Sequence, residues 1–195
     1  MNTLKFEVTG IRPLLMHNGL MADPTNPLVR AIKKITSKGT KKMTDSDYVE
    51  RDRLEWEAGL YWSSESDDIA IPSDNIERCI LEGAKKNRLG KDFAAAVFLQ
   101  ETEVIITHRL SGKSKETIYK DPSFSLRKGV KVQLARIIRI RPMIPTGWTA
   151  KFTVEYDESI VNYSSIIQAL TEAGALVGLG DWRPKFGRFT VEEIA

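Results

Sequence analysis

The sequence predicts an α+β protein whose core elements run in the order β-α-β-β-α-β, with two insertions. Two kinds of pattern carry this prediction: apolar residues alternate with polar ones in short segments, and recur at helical spacing in longer ones. Pro and Gly residues bound these segments. The predicted core elements are strand 3–9, helix 74–88, strand 103–108, strand 148–156, helix 163–173 and strand 187–192. We therefore expect a split, ferredoxin-like core in a single domain over residues 1–195.

The strands are predicted from alternation. In the first, Leu4, Phe6 and Val8 alternate with two charged residues, which is typical of a half-buried strand. The segment 148–156 shows the clearest alternation in the chain, and the last strand repeats it more briefly from Phe189.

The first core helix is predicted from residues that fall on one face at spacings of three and four. These residues are Ile76, Cys79, Ile80, Gly83 and Ala84. Cys79 is therefore expected to be a small buried side chain rather than a nucleophile. Ser73 or Asp74 is suited to cap this helix, and Gly174 to end the second one.

The first insertion, residues 20–68, is predicted to be helical. A basic amphipathic helix begins at about Asn26, and a second helix, capped by Thr44, reaches Tyr61. The second insertion, residues 109–145, is predicted to be a basic β-hairpin or loop with a long strand at 130–140 that two prolines end.

Composition excludes several classes of protein. The single cysteine rules out a disulfide framework and a cysteine-rich zinc site, and the two histidines add little for a metal, so we expect no metal or other cofactor. No apolar run approaches the roughly 20 residues of a membrane helix, and no secretory signal pattern opens the chain. These features predict a cytoplasmic protein without a membrane partner.

Charge is distributed unevenly, although the net charge is only +3. Residues 28–43 carry six basic residues and no acid, residues 44–68 carry nine acids, and residues 109–141 carry ten basic residues against two acids. Such asymmetry is typical of a protein with one basic face, although a charge run by itself is more often a solvated surface.

The segment Gly178–Phe189, here called the glycine loop, is the most specific motif. Its glycines permit positive φ and close approach to a ligand backbone, and its successive amides are able to form an anion-binding nest. Basic and aromatic side chains among them suit phosphates and bases. The spacing Gly-x-Gly-x-x-Gly is not met and the loop precedes a strand, which argues against a Rossmann or P-loop site. The alternative is a structural turn whose aromatic residues pack.

Candidate nucleic-acid-binding residues lie in the glycine loop and in both insertions. They are Gly178, Gly180, Trp182, Arg183, Lys185, Gly187 and Arg188 in the loop, His17, Lys33, Lys34, Lys41 and Lys42 in the first insertion and just before it, and Arg136, Arg139 and Arg141 in the second. Lysine and arginine there are expected to neutralise phosphates without reading sequence.

A glycine-rich basic loop before the last strand of a ferredoxin-like domain resembles the signature of the RAMP superfamily of CRISPR-associated RNA-binding proteins. With its insertions, the chain resembles the backbone subunit of Cascade-like effector complexes, or a stand-alone phage or prophage relative of it. The resemblance implies that residues 109–145 form a thumb. It also implies antiviral defence, homo-oligomers or filaments along a single strand, and other effector-complex subunits as partners.

The expected function is sequence-independent binding of single-stranded RNA or DNA. An enzyme is the first alternative, because some RAMP proteins are metal-independent ribonucleases; His17 would be the general base and Arg12 or a lysine its electrostatic partner. Asp23 would be the candidate if cleavage used an aspartate of an early loop. The second alternative is a phage assembly protein whose basic face meets an acidic protein.

Overall fold

The computed structural model describes residues 1–132 and 135–195, and the side chains of residues 1–130 and 137–195. It confirms the α+β class. The strands are β1 (Asn2–Gly10), β2 (Leu14–Leu15), β3 (Trp62–Ser63), β4 (Asp68–Pro72), β5 (Val97–Leu99), β6 (Glu103–Thr107), β7 (Ser125–Val132), β8 (Ala135–Ile144), β9 (Thr149–Tyr156) and β10 (Phe189–Ile194). The α-helices are α1 (Pro27–Thr36), α2 (Asp45–Gly59), α3 (Ser73–Ala84), α4 (Gly90–Ala96), α5 (Lys115–Lys120) and α6 (Tyr163–Glu172).

The chain divides into two compact units. Unit 1 comprises Met1–Leu14, Trp62–Gly112 and Pro145–Ala195, and unit 2 comprises Leu15–Tyr61 and Lys113–Ile144. Within the described parts of both units, no helix is long and apolar enough to cross a membrane.

Unit 1 is built on an antiparallel sheet with strand order β10-β1-β9-β6-β4-β3. Strand β1, next to the edge strand, pairs with β10 on one side and with β9 on the other, so that Phe6 lies opposite Glu193 and Phe152. The apolar face predicted for β1 is confirmed, because Phe6 and Val8 are buried.

Two short strands, β5 and β6, share the other side of β9. Val97 lies opposite Tyr156 in the first, and Ile106 lies opposite Ala150 in the second. Between them the carboxylate of Glu101 accepts a hydrogen bond from the N–H of Thr153 at 2.9 Å. A side chain thereby replaces a ladder hydrogen bond where the strand is interrupted.

Helices α3 and α6 pack closely against each other. A Cβ atom at Gly83 would lie 2.3 Å from the carbonyl oxygen of Ala169, so only glycine allows this approach. The predicted capping of α3 by Ser73 or Asp74 is wrong: no side chain caps this helix, and the Ser73 hydroxyl instead donates to the carbonyl of Thr102 at 3.1 Å.

Unit 2 contains α1, α2 and a three-stranded sheet of order β2-β8-β7. Thr44 caps α2 as predicted, in a capping box with Asp47. The buried indole of Trp56 donates to the carbonyl of Phe124 at 2.9 Å and contacts the ring of Tyr119 at 5.3 Å between centroids. These contacts hold α2 against α5 and the segment before β7.

The strand predicted at 130–140 is wrong in its bounds. The residues belong to two paired strands, β7 and β8, in which Val132 lies opposite Ala135 and Ser125 opposite Pro142. Pro142 lies inside β8 rather than ending it. Basic residues on both faces of the segment concealed the change of strand, since neither face is apolar throughout.

Two buried carboxylates on α2 accept hydrogen bonds from arginines of the β7–β8 hairpin. Asp52, only 2% exposed, binds Arg51 at 2.6 Å and also accepts a hydrogen bond from Arg127. Glu55, 3% exposed, binds Arg139 at 2.7 Å. Because each buried charge has a partner, these pairs fix the orientation of α2 on the hairpin.

We expect Asp52→Asn to lower the free energy of unfolding of the protein by about 2 to 3 kcal/mol, since it leaves the guanidinium groups of Arg51 and Arg127 without their carboxylate. This expected loss of stability is smaller than the loss for a fully buried ion pair, because the Arg127 side chain is 58% exposed. Urea denaturation measures it. The control is Glu116→Gln, which breaks an exposed pair with Lys120 and is expected to lower the free energy of unfolding far less than Asp52→Asn. Equal losses in the two variants would contradict the role of Asp52.

Candidate nucleic-acid interface

The glycine loop is anchored at its base by backbone hydrogen bonds. The N–H of Leu179 donates to the carbonyl of Gly187, and the N–H of Gly187 donates to the carbonyl of Pro13, each at 2.8 Å. The N–H of Gly178 donates to Ala173, in the π-helical turn that follows α6. The loop is therefore closed on itself and tied to the segment after β1.

Glycine is required at Gly187 for two reasons. Its φ is +72°, in the left-handed region, and a Cβ atom would lie 1.7 Å from the carbonyl oxygen of Leu179. Gly178 and Gly180 also have positive φ, +80° and +81°. The predicted backbone conformation is thus confirmed at all three glycines.

The tip of the loop carries its charges outward. Arg183, Pro184 and Lys185 are exposed, and the bond between Arg183 and Pro184 is cis. Trp182 and Phe186 are half-buried and contact each other, with 6.1 Å between ring centroids. The two aromatic rings therefore pack against each other at a tilt, while Arg183 and Lys185 are exposed to solvent.

The amides of the loop divide into two groups. Those of Gly178, Leu179 and Gly187 serve the anchoring bonds, and that of Phe186 donates to Trp182 at 3.3 Å. The N–H groups of Gly180, Arg183 and Lys185 donate to no acceptor among the described residues. The N–H of Trp182 donates to Oδ1 of Asp181 at 3.0 Å and Pro184 has no N–H, so residues 182–185 do not offer the successive amides that form a nest.

Arg188 differs from the other basic residues of the loop. It is half-buried, and its carbonyl accepts hydrogen bonds from the N–H groups of Ile11 and Arg12 at 2.8 and 3.1 Å. Its Nε is buried and meets no acceptor in the described part of the chain. Arg188 therefore lies at the base of the loop rather than at its tip.

Cys79 supports the base of the loop from α3. Its thiol is buried and donates to the carbonyl of Gly178 at 3.2 Å. Burial raises the pKa of this thiol to about 12, so it is protonated at neutral pH. The prediction that Cys79 is a buried structural residue is confirmed.

His17 and Arg141 are in contact in unit 2. The Nη1 of Arg141 lies 2.5 Å from Nδ1 of His17, while the carbonyl of His17 accepts a hydrogen bond from the Tyr61 hydroxyl. Because a guanidinium only donates, Nδ1 must accept, which places the imidazole proton on Nε2. While this contact persists, Nδ1 is occupied as an acceptor and is not available as a general base.

The other candidates on β8 have different surroundings. Arg139 is paired with the buried Glu55, so its charge is largely used within unit 2. Arg136 lies outside the residues whose side chains are described. Arg139 and Arg141, two residues apart on one strand, lie on the same side of β8 and line a cavity together with His17.

Four lysines of the first insertion are exposed and make no ion pair with a described residue. They are Lys33, Lys34, Lys41 and Lys42. Two of them lie in the last turn of α1, where the helix dipole favours positive charge. Lys38, between these pairs, is neutralised by Asp47 at 2.6 Å.

Charge separates between the two units. Unit 2 contains 17 lysines and arginines against nine aspartates and glutamates, a net charge of +8, whereas unit 1 contains 12 against 17, a net charge of −5. The candidates at His17, on α1 and on β8 therefore belong to a basic unit. The glycine loop is a local basic site in an acidic unit.

Glu55 is a buried cavity-lining residue that the sequence did not single out. It lines the same cavity as His17, Arg139 and Arg141. The sequence indicated its burial in one way. Glu55 stands between Leu54 and Trp56, and burial of these apolar residues of the helix also buries the acid between them. The many acids on α2 concealed it.

Comparisons with known proteins address the fold. No family model matches the sequence, and no curated protein matches it. Sixty-one chains of solved structures match. One belongs to the cryo-EM structure of the type III-B Cmr-beta bound to cognate target RNA, with a TM-score of 0.58 and 12% sequence identity. The match covers 98% of this chain but 60% of that one. At this identity the likeness shows the fold alone.

We expect Gly187→Ala to lower the free energy of unfolding of the protein by about 2 to 5 kcal/mol, because positive φ and the clash with Leu179 both act against it. The control is Gly112→Ala. Gly112 also has a positive φ, +74°, but no atom lies within 4 Å of the added Cβ. This variant therefore measures the free-energy cost of the backbone conformation alone, about 1 to 2 kcal/mol. Thermal and urea denaturation measure both variants. Equal losses would show that the loop closure is not tightly packed.

Proposed function

We propose that this protein binds single-stranded nucleic acid, RNA or DNA, through its backbone, as a RAMP-type protein that assembles along the strand. The observation that carries the proposal is the glycine loop, whose anchored base presents Arg183 and Lys185 outward before the last strand. A phosphate meets there the two cations Arg183 and Lys185, whose own backbone N–H groups donate to no acceptor among the described residues.

A ferredoxin-like core is the finer part of the proposal. Its support is the antiparallel strand order β10-β1-β9-β6, with α3 and α6 as the two crossover helices. The fold likeness to a chain of an RNA-bound Cmr-beta assembly is consistent with this core. The function itself rests on the site, because one fold hosts many functions.

The two insertions of the core supply the second part of the interface. We assign residues 20–68 to a helical insertion and 109–145 to a thumb; most of both lies in unit 2, with its net charge of +8. The exposed Lys33, Lys34, Lys41 and Lys42 are the phosphate contacts that we assign to this unit, since they pair with no carboxylate among the described residues. Oligomers along the strand follow if each copy covers only a few nucleotides.

The double variant Arg183→Glu with Lys185→Glu is expected to weaken binding of a single-stranded oligonucleotide at least roughly tenfold, with the melting temperature near that of the wild type. The magnitude of the slope of log K against log salt falls by about 1.4, because two phosphate contacts are lost at roughly 0.7 each on a single strand. Fluorescence anisotropy across a salt series measures both quantities.

The matched control is Lys86→Glu with Lys91→Glu. These two lysines are also exposed in unit 1, and their reversal changes the net charge by the same amount. We expect a smaller loss of affinity with this pair. If both double variants bind alike, the glycine loop has no specific role; if neither differs from the wild type, the loop assignment is wrong.

The ribonuclease alternative is tested at His17. From the tautomer set by Arg141, we expect RNA to remain intact when incubated with the protein in EDTA, and His17→Ala to behave identically. Gel analysis of a labelled RNA over several hours measures cleavage. Metal-independent cleavage by the wild type that His17→Ala abolishes would establish the enzyme instead.

A further inference from the structure

Two neighbouring cavities lie on unit 1 at α3 and α4. One has a volume of about 250 Å³ and the other of about 420 Å³. Leu81 of α3 and Ala94 of α4 line both of them, so the two cavities adjoin and form one groove, here called the α3–α4 groove. Ala94 is exposed, and Phe98 of β5, which lines the smaller cavity, is 43% exposed. The groove is therefore open to solvent and apolar where its two halves meet.

The larger cavity is basic. Lys85, Arg88 and Lys91 line it, and no described acid does. Lys85 pairs with Glu82 at 2.9 Å, whereas Arg88 and Lys91 are exposed and form no ion pair with a described residue. The stem of Lys85 packs across Gly90, where a Cβ atom would lie 2.6 Å from its Cγ. Three cations from the end of α3, the turn after it and the start of α4 thus meet at one end of the groove.

The smaller cavity has the opposite charge. Asp74 and Glu77 line it and take no part in the larger cavity. Arg78 lines it as well, but its guanidinium pairs with Glu82 at 2.9 Å, and its charge is thereby compensated. The two uncompensated charges at this end of the groove are carboxylates.

The order of these residues along α3 sets the order of charge along the groove. Asp74, Glu77, Leu81 and Lys85 follow one another at spacings of three and four, which places them on one face of the helix. At a rise of about 1.5 Å per residue, the distance from Asp74 to Lys85 is about 16 Å. The dipole of α3 by itself favours an acid at its start and a base at its end. It does not explain Arg88, or the cation of α4, because both follow the end of α3.

An added β-strand is a poor occupant of this groove. The N–H of Leu99 donates to Oε1 of Glu77 at 2.8 Å, and the N–H of Val97 donates to the carbonyl of Phe93. Strand β5 consequently offers no row of free N–H donors to a further strand. An apolar stripe about 16 Å long between opposite charges instead matches about three turns of an amphipathic helix.

We propose that the α3–α4 groove binds an amphipathic helix of a partner protein, antiparallel to α3. The apolar face of this helix contacts Leu81 and Ala94. Acidic residues in its first turn meet the cations of the larger cavity, and basic residues in its last turn meet the carboxylates of the smaller one. The same charges complement the dipole of the bound helix. A nucleic-acid strand fits less well, because Asp74 and Glu77 repel phosphates. The inference is independent of the proposed strand binding.

The probe is a labelled peptide of about 12 residues, roughly three turns, with blocked termini. It carries leucines on one face, two glutamates in the first turn and two arginines in the last turn. A side-chain lactam on the opposite face keeps it helical, since short helices are marginal in water. Fluorescence anisotropy with the full-length protein is expected to show saturable binding. Peptides with arginines in both end turns, or glutamates in both, are expected to bind at least roughly tenfold more weakly.

Ala94→Glu places a charge where the two cavities meet, and is expected to weaken binding of the probe peptide at least roughly tenfold. Ala95→Glu is the matched control. Ala95 is the next residue of α4, is also exposed and lines neither cavity, and its variant changes the net charge by the same amount. We expect this control to bind the peptide like the wild type.

The double variant Arg88→Glu with Lys91→Glu tests the charge order. It makes both ends of the groove acidic, so the peptide with arginines in both end turns is expected to become the tighter ligand. No saturable binding to the wild type, equal binding of the three peptides, or equal effects of Ala94→Glu and Ala95→Glu would overturn the proposal.

A single-stranded oligonucleotide provides the last arm. If Ala94→Glu weakens oligonucleotide binding, Ala95→Glu does not, and the peptide fails to bind, the groove belongs to the strand interface and the proposal is overturned. Peptide binding that follows the expected pattern, in a protein that binds no oligonucleotide, supports the groove and counts against the proposed function alone.

Discussion

The hydrogen bond between the N–H of Gly187 and the carbonyl of Pro13 is the constraint on which the glycine loop depends. It links the glycine loop, near the C-terminus, to the segment that follows β1, near the N-terminus. Only glycine fits at position 187, because a Cβ atom would meet the carbonyl of Leu179. With the base closed in this way, the chain between Leu179 and Phe186 has to bulge outward, and its basic tip is presented on a rigid support. Preorganisation of this kind reduces the entropy lost when a flexible ligand is gripped.

In unit 2 the corresponding constraint is electrostatic. Asp52 and Glu55 are buried on α2 and hold arginines of the β7–β8 hairpin, so part of the basic charge in this unit serves the fold. Lys38 pairs with Asp47, whereas Lys33, Lys34, Lys41 and Lys42 pair with no acid among the described residues. In this unit the buried acids are thus paired with arginines, and these four lysines remain in solvent. Arginine suits pairing with a buried carboxylate because its guanidinium binds in a bidentate geometry. Lysine suits an exposed position because its ammonium is a strongly hydrated point charge.

Sequence patterns predicted the sheet and its two helices because alternation and helical spacing report burial directly. Phe6 in β1 and Cys79 in α3 are buried on the faces that the patterns assigned. The patterns failed where buried residues are polar or where strand residues are charged on both faces. The hairpin of β7 and β8 has arginines on both faces, so one strand was expected where two exist. The short helix α4 and strand β5 were missed because neither is long enough to show a period. Glu55 was missed because burial of an acid depends on a partner, Arg139, that lies far away in sequence.

The charge separation between the units bears on how the proposed interface works. A strand is attracted over distance by net charge, and that attraction belongs to unit 2, at +8, rather than to unit 1, at −5. The glycine loop adds only Arg183 and Lys185 within an acidic unit, so its part in the proposed binding is expected at contact rather than over distance. On the proposed function, unit 2 is expected to supply most of the salt-dependent affinity, and the glycine loop short-range contacts to the backbone.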